Sequence, residues 1–528
     1  MRRILGKAML ILICASAVTG CRGITKEHDG QEAAREEASE AAGEQAARKE
    51  ASETAGGQAA WEGASETAGG QAAWEGAPGA MAPGTAGSEA GRMEPGAAHD
   101  NMIQAIYPQM VSYPDEQEYT DKKTGEFDNE EFSKAFDAWW EQKRSRRAPE
   151  GCGDSLKPFF LSSIRQFLTE EAPEGQGENR VYSPLNVYMA LSMLAETTDG
   201  DSRQQILGLL GMDSLESLRT QAEQIWNANY VQDKAVTSLL ANSLWLNEEI
   251  QFKGEALDAL AEHYYATSCW GKMGTKEFDA KLQNWLNEQT GDLLKEQASG
   301  LHMSDDTWIA LASTIYYRAK WSEEFSKSNT REETFHGPQE DVTCDFMHQK
   351  GPSVYYWGEK FGAVHKWFQE SGGMWLILPD EGITPEQLLL EDEAMELCLS
   401  KAPIGQAWEN QKHLVVNLAM PKFDVVSNID LKDGLTSMGV TDVFDGSRSD
   451  FTPLAEGTKG IYLSQASHAA RVMVDEEGCI AAAYTVMAGA GAAMPPNEEM
   501  DFVLDRPFIF VITSDSGMPL FAGIVKRP

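Results

Sequence analysis

Apolar residues are distributed along this 528-residue chain in three regimes. After an apolar run at positions 8 to 18, residues 22 to 100 are Ala, Gly, Glu and Gln with almost no aliphatic side chains. Such a stretch cannot bury enough surface to offset the entropy of ordering it. In "DNEEFSKAFDAWWEQKRSRR", Phe132, Phe136, Trp139 and Trp140 recur at helical spacing, which predicts one helix docked on the main domain. Beyond residue 154 the pattern is dense and mixed. "PLNVYMALSMLAETT" reads as a buried helix and "FDAKLQNWLNEQTGDLL" as an amphipathic one, while "TSLLANSLWLN" and "DTWIALASTIYY" read as strands. "GGMWLILPDEG", "LVVNLAMPKFDVV", "RVMVD", "RPFIFVITSD" and "GMPLFAGIVKRP" are strand-like as well. Strands that cluster towards the C-terminus without regular helical crossovers argue for an α+β fold and against a doubly wound sheet.

Composition adds a large core and a strong acidity. Hydrophobic residues make up 42% of the chain, enough to fill a sizeable interior. Asp and Glu outnumber Lys and Arg by 82 to 44, which excludes nucleic acid as an expected partner, because phosphate binding relies on basic side chains displacing counterions. Residues 101 to 528 carry 35 basic and 67 acidic groups, so the acidity belongs to the globular part.

The N-terminus speaks to location. Met1-Arg-Arg-Ile-Leu-Gly-Lys7 is a basic start, the apolar run that follows is too short to span a bilayer, and Val18-Thr-Gly-Cys21 closes it with small residues. That quartet resembles the lipobox of bacterial lipoproteins. The resemblance implies a signal peptide at 1–20, a lipid on Cys21 and a protein anchored on the extracellular face of the bacterial cell membrane. Residues 21–100 then read as a tether, in which the unit Ala51-Ser-Glu-Thr-Ala-Gly-Gly-Gln-Ala-Ala-Trp-Glu-Gly63 recurs identically at 64 to 76. As a flexible coil it would hold its cargo roughly 50 Å from the membrane. Residues 101–153 form an acidic, aromatic pre-domain segment. Of the remaining cysteines, Cys152, Cys269, Cys344, Cys398 and Cys479, no two have the spacing of a metal knuckle and their number is odd, so they read as free thiols.

Enzyme chemistry finds little support. The chain has no H-E-x-x-H pair, P-loop, EF-hand loop or G-x-S-x-G elbow, and "AGAGAAM" lacks the third glycine and the flanking context of a dinucleotide site. In so acidic a sequence, paired carboxylates carry no information.

Six segments in order resemble the serpins: "NRVYSPLNVYMALSMLAETTDGDSRQQILGLLG", "NWLNEQTGDL", "IYYRAKWSEEF", "MWLILPDEG", "MPKFDVVSNIDLKDGLTSMGVTDVFDGSRSDF" and "RPFIFVITSDSGMPLFAGIVKRP". The resemblance covers residues 154–528. It implies a serpin fold of three β-sheets surrounded by helices, with an exposed C-terminal reactive loop at about 476–500. It also implies a monomeric inhibitor of serine proteases and not an enzyme, with no cofactor and no metal. Cysteine proteases are a second target class that it leaves open. A non-inhibitory serpin acting as a binding module, or a surface lipoprotein using the domain as a scaffold, is the alternative.

By the same resemblance, Glu476, Glu477, Gly478, Cys479, Ile480, Ala481, Ala482 and Ala483 are the hinge of the loop. In the family, a protease cuts the loop as substrate, and the loop then enters the main sheet as a new strand while still esterified to the protease serine. A strand sliding between two formed strands tolerates only small, uncharged inward side chains. Alternation places Cys479, Ala481, Ala483 and Thr485 on one face, inward in the family, and Ile480, Ala482 and Tyr484 on the other. Cys479, Ile480 and Tyr484 depart from the usual hinge, where Thr or Ser, Glu, and a small residue are common. Loop length counted from Gly478 puts the scissile bond at Ala492–Ala493. Ala before that bond suits an elastase-like protease with a shallow apolar pocket. The resemblance further assigns Ser183, Asn186 and His468 to the region where the sheet opens, with Ser313 standing where the family has Asn, and Trp321 to the point of first insertion.

Overall fold

The computed structural model describes residues 101–108, 110–111, 113–114, 116–149, 152–169, 179–232, 236–369, 371–400, 408–457, 460–479 and 498–528. Cys21 and the expected signal peptide and tether, residues 1–100, lie outside the described residues. So do Ile480, Ala481, Ala482, Ala483, Ala492 and Ala493.

The pre-domain helix α1 (Asn129–Ser145) starts at Asp128, whose side chain accepts the Glu131 amide hydrogen. The next helices are α2 (Lys157–Thr169), α3 (Pro184–Thr197), α4 (Gly200–Leu210) and α5 (Leu215–Asn229). Every residue of α3 is buried, as expected of a helix that is predominantly apolar around its whole circumference. Ser183 caps it and Pro184 occupies its first turn, where a missing N–H costs nothing.

Among the described residues, one sheet contains eight strands: β1 (Met102–Ile103), β3 (Val231–Gln232), β4 (Val236–Asn247), β5 (Ala266–Gly271), β6 (Ile309–Lys320), β12 (Phe423–Asp430), β13 (Leu463–Val474) and β14 (Gly478–Cys479). Its order is β1-β5-β4-β6-β14-β13-β12, with β3 paired to β4. The second has nine: β2 (Arg180–Tyr182), β7 (Arg331–His336), β8 (Asp341–Trp357), β9 (Phe361–Phe368), β10 (Ser371–Pro379), β11 (Gln411–Pro421), β15 (Glu499–Val503), β16 (Phe508–Thr513) and β17 (Pro519–Val525). The three sheets implied by the resemblance appear as two hydrogen-bonded networks. The 17-residue β8 pairs with β11 from Phe346 to Tyr356, and its end, Tyr355 to Trp357, also pairs with β9, which joins two of the three.

The core lies between the sheets, with α3 packed against β4, β6 and β17. On the outer face of the first sheet, helix Lys276–Thr290 buries Phe278, Leu282, Trp285 and Leu286 against Ala241, Trp245, Ala310 and Ala312. The sheet is therefore covered on both sides at β4 and β6. This explains why "DTWIALASTIYY" is apolar at nearly every position and does not alternate.

The pre-domain segment docks as its aromatic spacing predicts. Trp139 is buried, and Lys143 pairs with Asp515 at 3.3 Å in the turn between β16 and β17. Ahead of the helix, β1 adds to the edge strand β5, and the Tyr107 ring stacks on Trp226 and Tyr230 at 5.6 and 5.2 Å. Composition alone gives no sign of this edge pairing. Cys152, Cys344, Cys398 and Cys479 are free thiols.

Candidate hinge site in the divided sheet

Strands β6 and β13 are parallel neighbours for only part of their length. Pairing runs from Leu463 opposite Ile309 to Ala469 opposite Thr314. Both strands then continue, to Lys320 and Val474, but apart. Into the far end of the gap comes β14, antiparallel to both: Cys479 lies opposite Val474 on one side and Ala319 on the other, and Gly478 lies opposite Lys320. Among the described residues, positions 315–317 of β6 and 470–473 of β13 have no strand partner on the edges that face each other. Cys479 is 1% exposed and shares its face with the buried Val474 and Ala319, and burial raises its thiol pKa.

The turn that delivers β14 is held on every side. Asp475 accepts the amide hydrogens of Glu477 and Gly478 at 2.9 and 3.2 Å, and its own N–H donates to the Gly478 carbonyl at 3.0 Å. Burial raises the Asp475 pKa despite those two bonds. The three carbonyls that follow Val474 are each claimed from the β6 side. Trp321 Nε1 donates to Asp475 O at 3.1 Å, Phe325 N to Glu476 O at 2.9 Å and Trp321 N to Glu477 O at 3.0 Å. Gly478 is required on two counts. Its φ is +153°, and a Cβ there would sit 2.2 Å from the Ala319 carbonyl oxygen.

Two carboxylates finish the turn differently. Glu476 is buried and receives Lys422 Nζ and Thr330 Oγ1, both at 2.8 Å. Burial opposes its ionisation, but these hydrogen bonds outweigh burial and hold its pKa below the usual value. Glu477 pairs at 2.7 Å with Lys327, whose side chain is 70% exposed. Beneath the turn, Trp321 stacks on Phe368 at 4.6 Å. Lys366 Nζ lies 5.1 Å from the Trp321 ring and 4.4 Å from that of Phe325, with its pKa lowered by burial to about 7.

At the closed part of the same strand pair sits a buried polar ring. The Ser183 backbone N–H donates to His468 Nε2 at 3.0 Å, so that nitrogen is unprotonated and Nδ1 carries the hydrogen towards Ser313 Oγ at 3.3 Å. Asn186 Nδ2 donates to the same Ser313 oxygen at 2.6 Å, and Asn186 N to Ser183 Oγ at 3.3 Å. All four residues are at most 1% exposed, and burial pulls the His468 pKa down to about 3. Ser313 and His468 are register partners across β6 and β13, so the ring pins the cap of α3 to the junction that still pairs. Ser313 thus completes the ring from the position where the family's Asn was expected.

The structure brings Ser183, Asn186, Ser313 and His468 together in one cluster and places Trp321 with Glu476, Glu477, Gly478 and Cys479 in another. Lys422, Thr330, Phe325 and Lys366 escaped sequence reasoning. A buried glutamate demands a cation, but nothing in the sequence says which of the distant lysines supplies it.

The family model described as Serpin (serine protease inhibitor) matches residues 159–528. The chain belongs to the serpin family. Pig leukocyte elastase inhibitor is 29% identical over 376 residues, covering 70% of this chain and 97% of that protein. Human neuroserpin is 28% identical over 369 residues, covering 67% and 87%. Among solved structures, the serpin AtSerpin1 of Arabidopsis in its native stressed conformation superposes with a TM-score of 0.62 at 24% identity, covering 71% of this chain and 98% of that one. In this serpin the match begins just inside the predicted 154–528 domain and takes in the divided sheet, the hinge turn and the buried ring.

Proposed function

We propose that this serpin is a suicide inhibitor of elastase-like serine proteases, held at the outer face of a bacterial membrane through a lipid on Cys21. The observation that carries the inhibitory reading is the division of β6 from β13 with Gly478 and Cys479 already between them. A chain entering there extends an existing strand and need not nucleate one.

The protease serine attacks the Ala492 carbonyl, the peptide bond to Ala493 breaks, and the loop leaves as an acyl ester bearing the protease. Insertion proceeds from Cys479 along the unpaired edges, and about a dozen residues at about 3.3 Å each carry the ester on the order of 40 Å. Pulling the protease against the body displaces its histidine and oxyanion hole, and deacylation then loses several powers of ten. Ala481 and Ala483, which continue the Cys479 face, are small enough to enter. Glu476 and Glu477 stay outside as anchors, Trp321 holds the entry, and Ser183, Asn186, Ser313 and His468 form the ring that the opening must breach. The specificity assignment rests on Ala492, and it accords with the name of the pig relative.

Mixing the purified protein with pancreatic elastase should give a complex that survives denaturing electrophoresis. Cleavage of the loop at every enzyme ratio without such a complex would contradict the proposal and favour a non-inhibitory binding module.

A further inference from the structure

The densest run of positive charge in this acidic chain, Lys143-Arg-Ser-Arg-Arg147, spans the last turn of the pre-domain helix and the two residues after it, ahead of the serpin body. Helix α1 ends at Ser145 without a left-handed cap: Arg146 is αR, and its N–H reaches back only to Arg144 O. Arg147 N donates to the same carbonyl at 3.2 Å, and its guanidinium lies over Trp140. Arg144, Ser145 and Arg147 are exposed, whereas Arg146 is partly buried. The Arg146 guanidinium reaches Met110 Sδ, but among the described residues no backbone hydrogen bond of Arg146 or Arg147 extends beyond Arg144 O. A terminal turn whose backbone is so held opens locally at low cost, which is what a protease requires of a segment it must straighten. The family match starts at residue 159, so a cut here falls outside the matched region.

A second feature of the sequence makes this position selective. From Val472 to Asp505, a span containing the whole reactive loop, there is neither Lys nor Arg. A protease whose specificity pocket ends in a carboxylate requires a basic residue before the bond, so it has no site in the loop and finds the exposed Arg144 and Arg147 at the junction.

We propose that Arg144–Arg147 is a processing site at which a trypsin-like protease frees the serpin domain from its N-terminal tether. The reaction is peptide hydrolysis: one water is consumed, and a carboxylate forms on Arg144 or Arg147 with a new amine on Ser145 or Ala148. The cut turns the docking of the pre-domain segment, through β1, Tyr107 and Trp139, from an intramolecular contact into a bimolecular one. At low concentration the body then leaves. The cut site does not depend on loop insertion. Only its consequence, delivery of a freed inhibitor by an enzyme that the inhibitor cannot trap, rests on the function proposed above.

The test is limited trypsin digestion of the full chain, read by intact mass and N-terminal sequencing. A fragment beginning at Ser145 or Ala148 and ending at Pro528 should accumulate, and at nanomolar concentration it should elute from gel filtration free of the pre-domain piece. In the triple variant Arg144→Gln, Arg146→Gln, Arg147→Gln that fragment should form at least about tenfold more slowly. Cuts within the body that precede the junction, undiminished formation in the triple variant, or co-elution of the two pieces would overturn the proposal. Elastase added to cut and uncut protein separates the two readings. No adduct from either form sinks the inhibitory function and leaves the cut site standing, whereas an adduct without a junction cut does the reverse.

Discussion

The closed and divided parts of the β6–β13 pair are held by opposite kinds of interaction. Where the strands still pair, the fastening is a ring of four neutral polar side chains, sealed from water and connected to the cap of α3. Where they part, the fastening is a turn of acidic residues tied by backbone bonds to Trp321 and Phe325 and by ion pairs to Lys422 and Lys327. The neutral ring is costly to break because opening it strands buried donors away from water. The charged turn is cheaper to rearrange because its ions have solvent to return to. The two ends of one strand pair are thus built to resist and to yield.

Gly478→Val strikes the yielding end hardest. A side chain there meets the Ala319 carbonyl in a conformation that only glycine adopts easily, so the hinge must leave the sheet, at a cost of about 2 kcal/mol or more. The check is thermal unfolding, which should fall by several degrees; an unchanged transition would mean that β14 does not sit between the strands.

His468→Leu tests the resisting end. It leaves the Ser183 N–H unsatisfied, at about 2 kcal/mol, measurable by denaturant unfolding. The same variant has a pH signature. His468 binds its proton only near pH 3 when folded but near its ordinary value when unfolded, so the unfolded chain takes up more protons in that window. Stability therefore falls as the pH drops from about 6.5 towards 3, by up to about 1.4 kcal/mol per pH unit from this group. The variant should lose that share of the acid slope and keep the similar contribution of buried His365.

Lys422→Met leaves the buried Glu476 without its cation, at about 1 kcal/mol, and should speed hydrogen exchange at the Phe325 amide that the Glu476 carbonyl holds. Lys327→Ala, at the exposed pair with Glu477, should move stability by no more than about 0.5 kcal/mol. Equal effects from the two lysines would erase the distinction between buried and exposed anchoring.

Much of the fold was legible before any coordinates. The mostly apolar run 184–197 is α3, "TSLLANSLWLN" is β4, and Phe132, Phe136, Trp139 and Trp140 do lie on a docked helix. "LVVNLAMPKFDVV" read as one strand-like stretch but divides at Lys422 into β11 and β12, which belong to different sheets. Local pattern registers strand character but not which sheet a strand joins. The site was legible where motif order carried it, at Trp321, Gly478 and His468. Lys422, Phe325 and Lys366 were not, because each reaches the hinge through the tertiary fold and none has a sequence neighbour that signals the role.

The central claim, that this divided sheet takes up its own loop to trap a protease, is tested most directly by comparing elastase adduct formation in the natural chain and in Ala481→Arg. The natural chain should give a covalent complex. The variant should be cut at the same bond and released as substrate, because its charge cannot enter between β6 and β13. An undiminished adduct from the variant would contradict the account.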